Sequence, residues 1–325
     1  MIRKKSVLFF GCGLYNYDES INDFLSQEYD VSYIPLFPLK KEHKTLLSLL
    51  SHVCFKDVIK RINSNLVLNK ICALKNYTFD YVLVVKGSKL EQIHLDYINS
   101  SFPNAKKVLY LWDSWSLIEN KEMLLNNFPT IYSFDTEDCK NFGFKLRPLF
   151  YTEKKDVLSN KDIDVSFIGT EHSDRLDKLR KLKKICIDNR ISFYLRLKTT
   201  MLPLLKARIN ASGYNSADLD ILTRRPLTYE EVMNITKRSK CVVDFSHPKQ
   251  CGLTMRTIET FAMGCRLITS NKYIKEYLDL HPSWYLVIDE NTNVDDILFF
   301  IKSSYEPINI PDNYSINAFI KQILN

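Results

Sequence analysis

Residues 242–272 constrain the fold of this 325-residue chain more than any other segment. A mostly apolar run at 242–245 is followed by a polar loop to Gly252, a short helical pattern, and a second mostly apolar run at 267–269. We interpret this order as a strand, a helix and a parallel strand. Such a unit places backbone N–H groups and a helix N-terminus at the carboxyl edge of a sheet, where a phosphate binds favourably.

Arg256 and Glu259 lie three residues apart in the helical pattern, so both side chains can face one ligand. A diphosphate at the start of the helix and sugar hydroxyls at the glutamate would suit a nucleotide-sugar. Ile258, Phe261 and Ala262 mark the predicted buried stripe. The alternative is a surface ion pair between Arg256 and Glu259, worth about 0.2–0.5 kcal/mol.

The segment resembles the nucleotide-binding half of GT-B glycosyltransferases, above all the bacterial enzymes that build capsular polysaccharide and lipopolysaccharide. Two further matches occur in the same order as in that family, at 110–150 and at 166–170. The matching positions in the first segment are His247, Pro248, Gln250, the run from Gly252 to Glu259, Gly264, 267–269, Asn271 and Lys272. The resemblance implies an α/β fold with two Rossmann-like domains facing one another across a cleft.

The resemblance also implies roles for single residues on the donor side. Glu259 would hold the ribose hydroxyls, since a carboxylate can accept two hydrogen bonds from a vicinal diol. Arg256, Thr254 and Thr257 would lie near the diphosphate. Cys251 stands where many retaining members carry a second glutamate. Gln250 is a candidate to take over part of the sugar contact, and the stereochemical outcome stays open.

The other donor-side candidates follow from their places in the pattern. Glycine permits close backbone approach and arginine grips phosphate with two donors, which makes residues at the end of the strand near 168 candidates. For Arg175 and His247 a structural role is an equal alternative. The whole set of these further candidates is Gly169, Thr170, Arg175, His247, Gly252, Leu253 and Lys272.

A catalytic base is expected in the first domain if the enzyme inverts. Asp113 is the leading candidate, because it follows an apolar strand and lies in the matching motif at 110–114. The alternative for Asp113 is a cap on the following helix. Asp18 and Glu19, after the first glycine loop, are the next candidates.

No metal and no cofactor beyond the donor substrate is expected, and a UDP-sugar is the expected donor. Two short acidic pairs, 162–164 and 218–220, match the D-x-D pattern that binds Mg²⁺ or Mn²⁺ in the other main glycosyltransferase architecture, but such pairs arise often by chance. Without a metal ion, positive side chains and helix dipoles would stabilise the leaving diphosphate. The eight cysteines form no zinc or disulfide pattern and fit a reducing cytosol.

Strands and helices alternate along the chain, which predicts mostly parallel sheets. We place an acceptor-side Rossmann-like domain at 1–150 and a nucleotide-sugar-binding Rossmann-like domain at 151–305. The tail at 306–325 is expected to pack back on the first domain through a helix at 316–324. A helical region is predicted at 41–74, an irregular one at 201–226, and a helix at 274–279.

Most of the chain's formal charge of +7 lies in residues 40–75, which carry eight basic and two acidic side chains. Interleaved leucines and valines make this region a candidate for contact with an anionic membrane, with a solvated surface helix pair as the alternative. The expected location is the cytoplasm, and the membrane alternative would place the protein peripherally at the inner face of the plasma membrane. No nucleic-acid-binding module is recognisable.

The expected function is glycosyl transfer from a nucleotide-sugar to a saccharide or lipid-linked saccharide in bacterial surface polysaccharide or lipopolysaccharide biosynthesis. One alternative is a nucleotide-sugar epimerase of the same two-domain plan, which would act on the donor without an acceptor. Another is a non-catalytic nucleotide-sugar-binding protein of a glycan assembly complex, which would never turn the donor over.

Overall fold

The chain divides into two compact units in this computed structural model, which describes residues 3–13, 16–37, 56–154, 161–172, 174–246 and 250–325. Unit 1 comprises Met1–Thr152, Lys249–Gly252 and Ser315–Asn325, and unit 2 comprises Glu153–Pro248 and Leu253–Tyr314. The second unit is thus inserted between the first part of unit 1 and its final helix.

Unit 1 contains a six-stranded sheet in which every neighbouring pair is parallel, in the order β2-β1-β3-β4-β5-β6. The central strands are continuous apolar runs, because both faces of a parallel sheet are covered by helices. The strands are β1 (Ser6–Gly11), β2 (Asp30–Pro35), β3 (Tyr81–Val85), β4 (Lys106–Leu111), β5 (Thr130–Ser133) and β6 (Lys145–Leu146). The described helices before the insertion are α1 (Tyr17–Glu28), α2 (Lys56–Ala73), α3 (Gln92–Ser101), α4 (Lys121–Asn127) and α5 (Thr136–Phe142).

The helix Ile316–Leu324, numbered α11 below, packs on the sheet of unit 1 beside α1 and β4. Phe319 is fully buried, and its ring centroid lies 4.6 Å from those of Tyr110 and Phe150. The Ile316 N–H donates to the Tyr151 carbonyl at 3.0 Å. The helix is therefore part of the core of unit 1 although it is far away in sequence.

Unit 2 contains a second all-parallel sheet, in the order β12-β11-β10-β7-β8-β9. Its strands are β7 (Ile163–Thr170), β8 (Phe193–Lys198), β9 (Leu222–Thr223), β10 (Ser239–Asp244), β11 (Arg266–Thr269) and β12 (Tyr285–Val287). Its helices are α6 (Arg175–Asp188), α7 (Met201–Arg208), α8 (Tyr229–Arg238), α9 (Met255–Ala262) and α10 (Val294–Lys302). Counted from the first strand of the unit, this is the dinucleotide-binding order 3-2-1-4-5-6, which reverses direction between β7 and β10.

Several element predictions differ from the structure. The region 201–226, predicted to be irregular, contains α7, a 3-10 helix at Ser216–Asp220 and β9. The segment predicted as a helix at 274–279 is a shorter 3-10 helix at Lys272–Glu276. Of the helical region predicted at 41–74, the part at Lys56–Ala73 is α2, and 41–55 lies outside the described residues. None of the helices in the described ranges is long and apolar enough to cross a bilayer.

Candidate functional site

Helix α9 begins directly beside the carboxyl end of β10, at the point where the strand order of unit 2 reverses. Thr254 caps the helix: its hydroxyl oxygen accepts a hydrogen bond from the Thr257 N–H at 3.2 Å. The same hydroxyl donates to the Asp244 carboxylate at 2.6 Å. Asp244 is the last residue of β10 and is buried. Its carboxylate thus fixes the first turn of α9 to the strand end.

Arg256 is held at this strand end by the same carboxylate. Its guanidinium donates to Asp244 at 3.1 Å, and its centre lies 5.4 Å from the Phe167 ring centroid on β7. Glu259 is turned to a different partner and accepts a hydrogen bond from Tyr229. Of the residues in α9, all but Arg256 are buried, so the predicted stripe of three apolar residues is only part of a much larger buried surface.

Arg175 brings a second guanidinium to the reversal point. It donates to the carbonyl oxygen of Thr170, at the end of β7, at 3.1 Å and to that of Phe245, just after β10, at 3.0 Å. Its Nε is buried and has no hydrogen-bond partner among the residues that the structure describes. A methyl group on Gly169 would come within 2.8 Å of the Phe167 ring, so only glycine leaves that ring its place beside the strand end.

The electrostatics of this strand edge favour an anion. Burial and, next, the positive charge of Arg256 lower the pKa of Arg175 from its ordinary value. Asp244 is paired with Arg256 and acts on Arg175 only through its charge, so two guanidinium groups face a single carboxylate at this edge. The N-terminus of α9 adds its partial positive charge at the same place. The arrangement fits a phosphate or diphosphate group.

Glu259 lies farther along α9 and is 7% exposed. Its Oε1 accepts a hydrogen bond from the Tyr229 hydroxyl at 2.9 Å. Tyr229 is the first residue of α8, so the carboxylate is held from a neighbouring helix. Helix α9 thus carries a cationic edge at its start, which suits the phosphates of a nucleotide, and a carboxylate farther along, which suits the ribose hydroxyls.

The remaining donor-side candidates are placed as follows. Thr257 and Leu253 are buried. The Thr257 hydroxyl donates to the Asp244 carboxylate at 3.4 Å. Lys272 is exposed and its ammonium stands 5.4 Å from the Tyr273 ring centroid. Gln250 is half-buried and belongs to unit 1 together with Gly252, while His247 lies outside the described residues.

Residues 250–252 pack against the end of β5 within unit 1. The Cys251 N–H donates to the Asp135 carboxylate at 2.9 Å. A methyl group on Gly252 would meet the Phe134 carbonyl oxygen at 2.3 Å, so this position requires a glycine. Within unit 1, Cys251 and Gly252 are therefore positioned by the residues that follow β5.

Asp113 follows β4 at the carboxyl edge of the sheet in unit 1. Its carboxylate makes an ion pair with the Lys86 ammonium at 2.8 Å, and both side chains are partly exposed. Lys86 follows β3 and has a left-handed backbone conformation, with φ of 74°. The next 3-10 helix has Ser114 at its N-cap, so the capping alternative for Asp113 is not what the structure contains. Its role as a base stays a prediction.

Asp18 closes the loop after β1. It is buried, and its carboxylate accepts hydrogen bonds from the Gly13 N–H at 2.6 Å and the Tyr33 hydroxyl at 3.0 Å. A methyl group on Gly11 would lie 2.4 Å from this carboxylate, which explains a glycine there. Glu19 is exposed. Asp18 therefore holds the described start of this loop through the N–H groups of Cys12 and Gly13, and catalytic roles for Asp18 and Glu19 stay predictions.

The two D-x-D patterns are occupied by ion pairs. Asp162 pairs with Arg238, and Asp164 pairs with Lys240 at 2.7 Å. Asp218 pairs with Arg180 at 2.6 Å, and Asp220 with Lys183 at 2.7 Å. In the described part of the chain no group of three histidine, cysteine or carboxylate side chains is arranged to hold a metal ion.

Three functional candidates were missed by sequence reasoning: Asp244, Tyr229 and Lys86. The signal for Asp244 was its place at the end of the strand that precedes the helix. The other two carry no local signal. Tyr229 lies 30 residues before Glu259 and Lys86 lies 27 before Asp113, and only the fold brings each pair together.

Comparison with solved structures identifies the class of fold. The chain resembles a glycosyltransferase of avilamycin A biosynthesis, AviGT4, with 11% identity over 98% of this chain and 95% of that one, at a TM-score of 0.57. It is also similar to the Methanocaldococcus jannaschii UDP-GlcNAc 2-epimerase in complex with UDP-GlcNAc and UDP, with 11% identity over 98% of both chains, at 0.56. A third similar structure is the lipopolysaccharide outer core galactosyltransferase WaaB, with 12% identity over 98% and 95%, at 0.50.

These similarities confirm the predicted GT-B fold, with two Rossmann-like units built on parallel six-stranded sheets. Glycosyltransferases and epimerases both occur among the similar structures, so the fold is shared by two activities. No family model matches the chain, and no curated protein matches it significantly in sequence.

Proposed function

We propose that the protein is a glycosyltransferase that moves a sugar from a nucleotide-sugar, a UDP-sugar in the first instance, to a saccharide hydroxyl. The observation that carries the proposal is the strand reversal of unit 2. There Arg175, Arg256 and the start of α9 form an anion-binding edge, and Glu259 lies buried on the same helix. Ligands of open α/β sheets bind at the carboxyl ends of the strands at such a reversal.

In the proposed reaction, the bond between the sugar's anomeric carbon and the diphosphate oxygen breaks, and a bond to the acceptor oxygen forms. The two arginines and the α9 N-terminus stabilise the negative charge on the leaving diphosphate. If the reaction inverts the anomeric configuration, Asp113 accepts the proton of the acceptor hydroxyl. Glu259 binds the ribose and takes no part in bond breaking. Stereochemistry is left open, because Cys251 stands in place of the second glutamate of many retaining members.

The proposed setting is bacterial surface polysaccharide or lipopolysaccharide synthesis in the cytoplasm, with an acceptor that is a saccharide or a lipid-linked saccharide. Similarity to WaaB supports this setting. Contact with an anionic membrane through residues 40–75 belongs to the same proposal. In the described part of that region, α2 buries Val67 and Ile71 and exposes Val58 and Ile62 among basic side chains.

Epimerisation of a nucleotide-sugar is the second candidate. It is favoured by the similarity to the UDP-GlcNAc 2-epimerase, which has nearly the same TM-score as AviGT4. A binding protein without catalysis would use the same donor residues. Purified protein incubated with donor alone separates the three: an epimerase isomerises it, a transferase hydrolyses it slowly until acceptor is added, and a binding protein leaves it unchanged.

Nucleotide binding is tested by a thermal-shift panel of UDP, GDP, CMP and dTDP on wild type and Glu259→Ala. A ligand at 100 times its Kd stabilises the fold by about 2.7 kcal/mol, a rise of several degrees in Tm. Loss of hydrogen bonds to a charged group raises Kd by roughly 10- to 100-fold, so we expect the Tm shift of Glu259→Ala to be halved or abolished.

Glu290→Ala is the matched control for this panel, because Glu290 is an exposed glutamate of the same unit. It should respond like wild type. If no nucleotide stabilises the wild type, or if Glu259→Ala responds like it, the donor-site assignment is wrong.

Metal independence is a separate prediction. Because the positive charge at the donor edge comes from Arg175, Arg256 and a helix N-terminus, donor hydrolysis in excess EDTA should stay within about twofold of its untreated rate. The measurement is nucleotide release with and without chelator, followed by readdition of Mg²⁺ or Mn²⁺. Loss of activity that either ion restores would contradict it.

A further inference from the structure

We propose that Tyr229 is a positioning residue: its hydroxyl orients the Glu259 carboxylate and so sets the preference of the donor site for ribonucleotides over 2′-deoxyribonucleotides. This inference rests on the proposed function and adds a residue that acts through Glu259. Its basis is the 2.9 Å hydrogen bond from the Tyr229 hydroxyl to Glu259 Oε1.

The carboxylate of Glu259 needs a defined partner. It is 7% exposed, and a buried carboxylate without hydrogen bonds is costly. The last side-chain torsion of a glutamate also has a broad range of allowed angles. The side chain by itself therefore does not fix the plane of its carboxylate. A directional hydrogen bond from a rigid phenol to one oxygen restricts that plane before any ligand arrives.

Tyr229 is itself held in place by the start of α8. Thr228 is the N-cap, and its side chain accepts from the Glu231 N–H at 3.2 Å. The Glu231 carboxylate in turn accepts from the Thr228 N–H at 2.8 Å and pairs with Arg225. Two reciprocal hydrogen bonds of this kind fix the first turn of a helix. The phenol is thus mounted on a rigid turn.

The orientation matters because a vicinal diol is a demanding ligand. Its two hydroxyls are a fixed distance apart, so both can donate to one carboxylate only when the carboxylate plane faces them. A carboxylate offers about four acceptor sites, so the phenol bond by itself does not exclude ribose hydroxyls as further donors. Without the phenol, we expect Glu259 to turn and the benefit of the 2′-hydroxyl to fall.

The test compares Kd values of UDP with 2′-deoxy-UDP, and of GDP with 2′-deoxy-GDP, by isothermal titration calorimetry on wild type and Tyr229→Phe. A hydrogen bond to a charged group corresponds to roughly a 10- to 100-fold preference of wild type for the ribonucleotide. In Tyr229→Phe we expect this ratio to fall at least threefold, mainly through weaker ribonucleotide binding. A general loss of protein stability would weaken the binding of both nucleotides alike and leave the ratio of their Kd values unchanged.

Tyr305→Phe is the matched control. The Tyr305 hydroxyl donates to the Gly264 carbonyl oxygen at 3.3 Å in the same unit, so its loss removes a structural hydrogen bond away from Glu259. In Tyr305→Phe, the ratio of the Kd for the 2′-deoxyribonucleotide to the Kd for the ribonucleotide should equal that of wild type. The Tyr229→Phe, Glu259→Gln double variant should show the ratio of Glu259→Gln alone, because Tyr229 acts only through Glu259.

The outcomes separate this inference from the proposed function. A wild-type preference that Tyr229→Phe retains overturns the role of Tyr229 and leaves the donor site standing. Equal Kd values of wild type for UDP and 2′-deoxy-UDP, and for GDP and 2′-deoxy-GDP, overturn this inference and the ribose role of Glu259, whereas binding of no nucleotide overturns the donor site itself. If Tyr229→Phe does not fold, Thr228→Ala, which loosens the same turn, should lower the ratio by a smaller factor. An unchanged ratio there also overturns the inference.

Discussion

Asp113→Asn is expected to lower kcat for donor turnover by about 10²- to 10⁴-fold, the usual contribution of a positioned general base. The amide keeps the size of the side chain but cannot accept the proton of the attacking hydroxyl or water. Nucleotide binding depends on residues of unit 2, so Kd for the nucleotide should change less than twofold. Initial rates of donor hydrolysis and of transfer to acceptor, with the Kd measured separately, check both parts.

Asp80→Asn is the matched control, since Asp80 is an ion-paired carboxylate just before β3, at the opposite edge of the same sheet. Its effect on kcat should be small. Asp18→Asn and Glu19→Gln complete the set, because both were candidates for the base. If Asp113→Asn keeps kcat within about threefold, and either Glu19→Gln or an Asp18→Asn variant of unchanged stability loses it, the base lies after β1 instead.

Phe319→Ala is expected to reduce the free energy of unfolding of unit 1 by about 3–5 kcal/mol, as for other fully buried phenylalanines. The Phe319 ring packs against the rings of Tyr110 and Phe150, and the Arg147 guanidinium centre lies 5.6 Å from its centroid. Truncation leaves a cavity between α11 and the sheet. Urea unfolding followed by tryptophan fluorescence measures the loss of stability of unit 1, because the ring centroid of Trp112 lies 5.8 Å from that of Phe150.

Phe142→Ala is the comparison variant in unit 1. Phe142 is 53% exposed, so its truncation removes less buried area and should cost less than half as much. The urea midpoint should fall in Phe319→Ala without a change in slope. A loss below about 1 kcal/mol would mean that α11 contributes little to the packing of unit 1.

The parts of the fold that were predictable are those with strong local patterns. The helix expected at 316–324 is found at Ile316–Leu324, because its apolar period is regular and Ser315 precedes it as a cap. Buried strands such as β7 and β10 were placed within a few residues for the same reason. Helix α7 was not predicted, because Pro203 interrupts the helical pattern of apolar residues. In the structure, Leu202 and Leu205 of this helix are exposed.

The candidate site was predictable only along the chain. Arg256 and Glu259 were chosen from their spacing, but the spacing does not say what each side chain meets. The structure turns Arg256 to Asp244 at a strand end and Glu259 to Tyr229 on the next helix. Those partners depend on how the strands are ordered in the sheet, and strand order is a tertiary property that residue spacing does not contain.

The place of α11 has a consequence for synthesis of the protein on the ribosome. The Lys106 ammonium donates to the Asn325 main-chain oxygen across 219 residues of sequence. At 5–20 residues per second, the residues of unit 2 take roughly 10–30 s to be made before α11 emerges. Throughout that interval Tyr110 and Phe150 lack their partner Phe319. The nascent chain therefore presents an apolar surface to chaperones, and unit 2 has time to fold before unit 1 is complete.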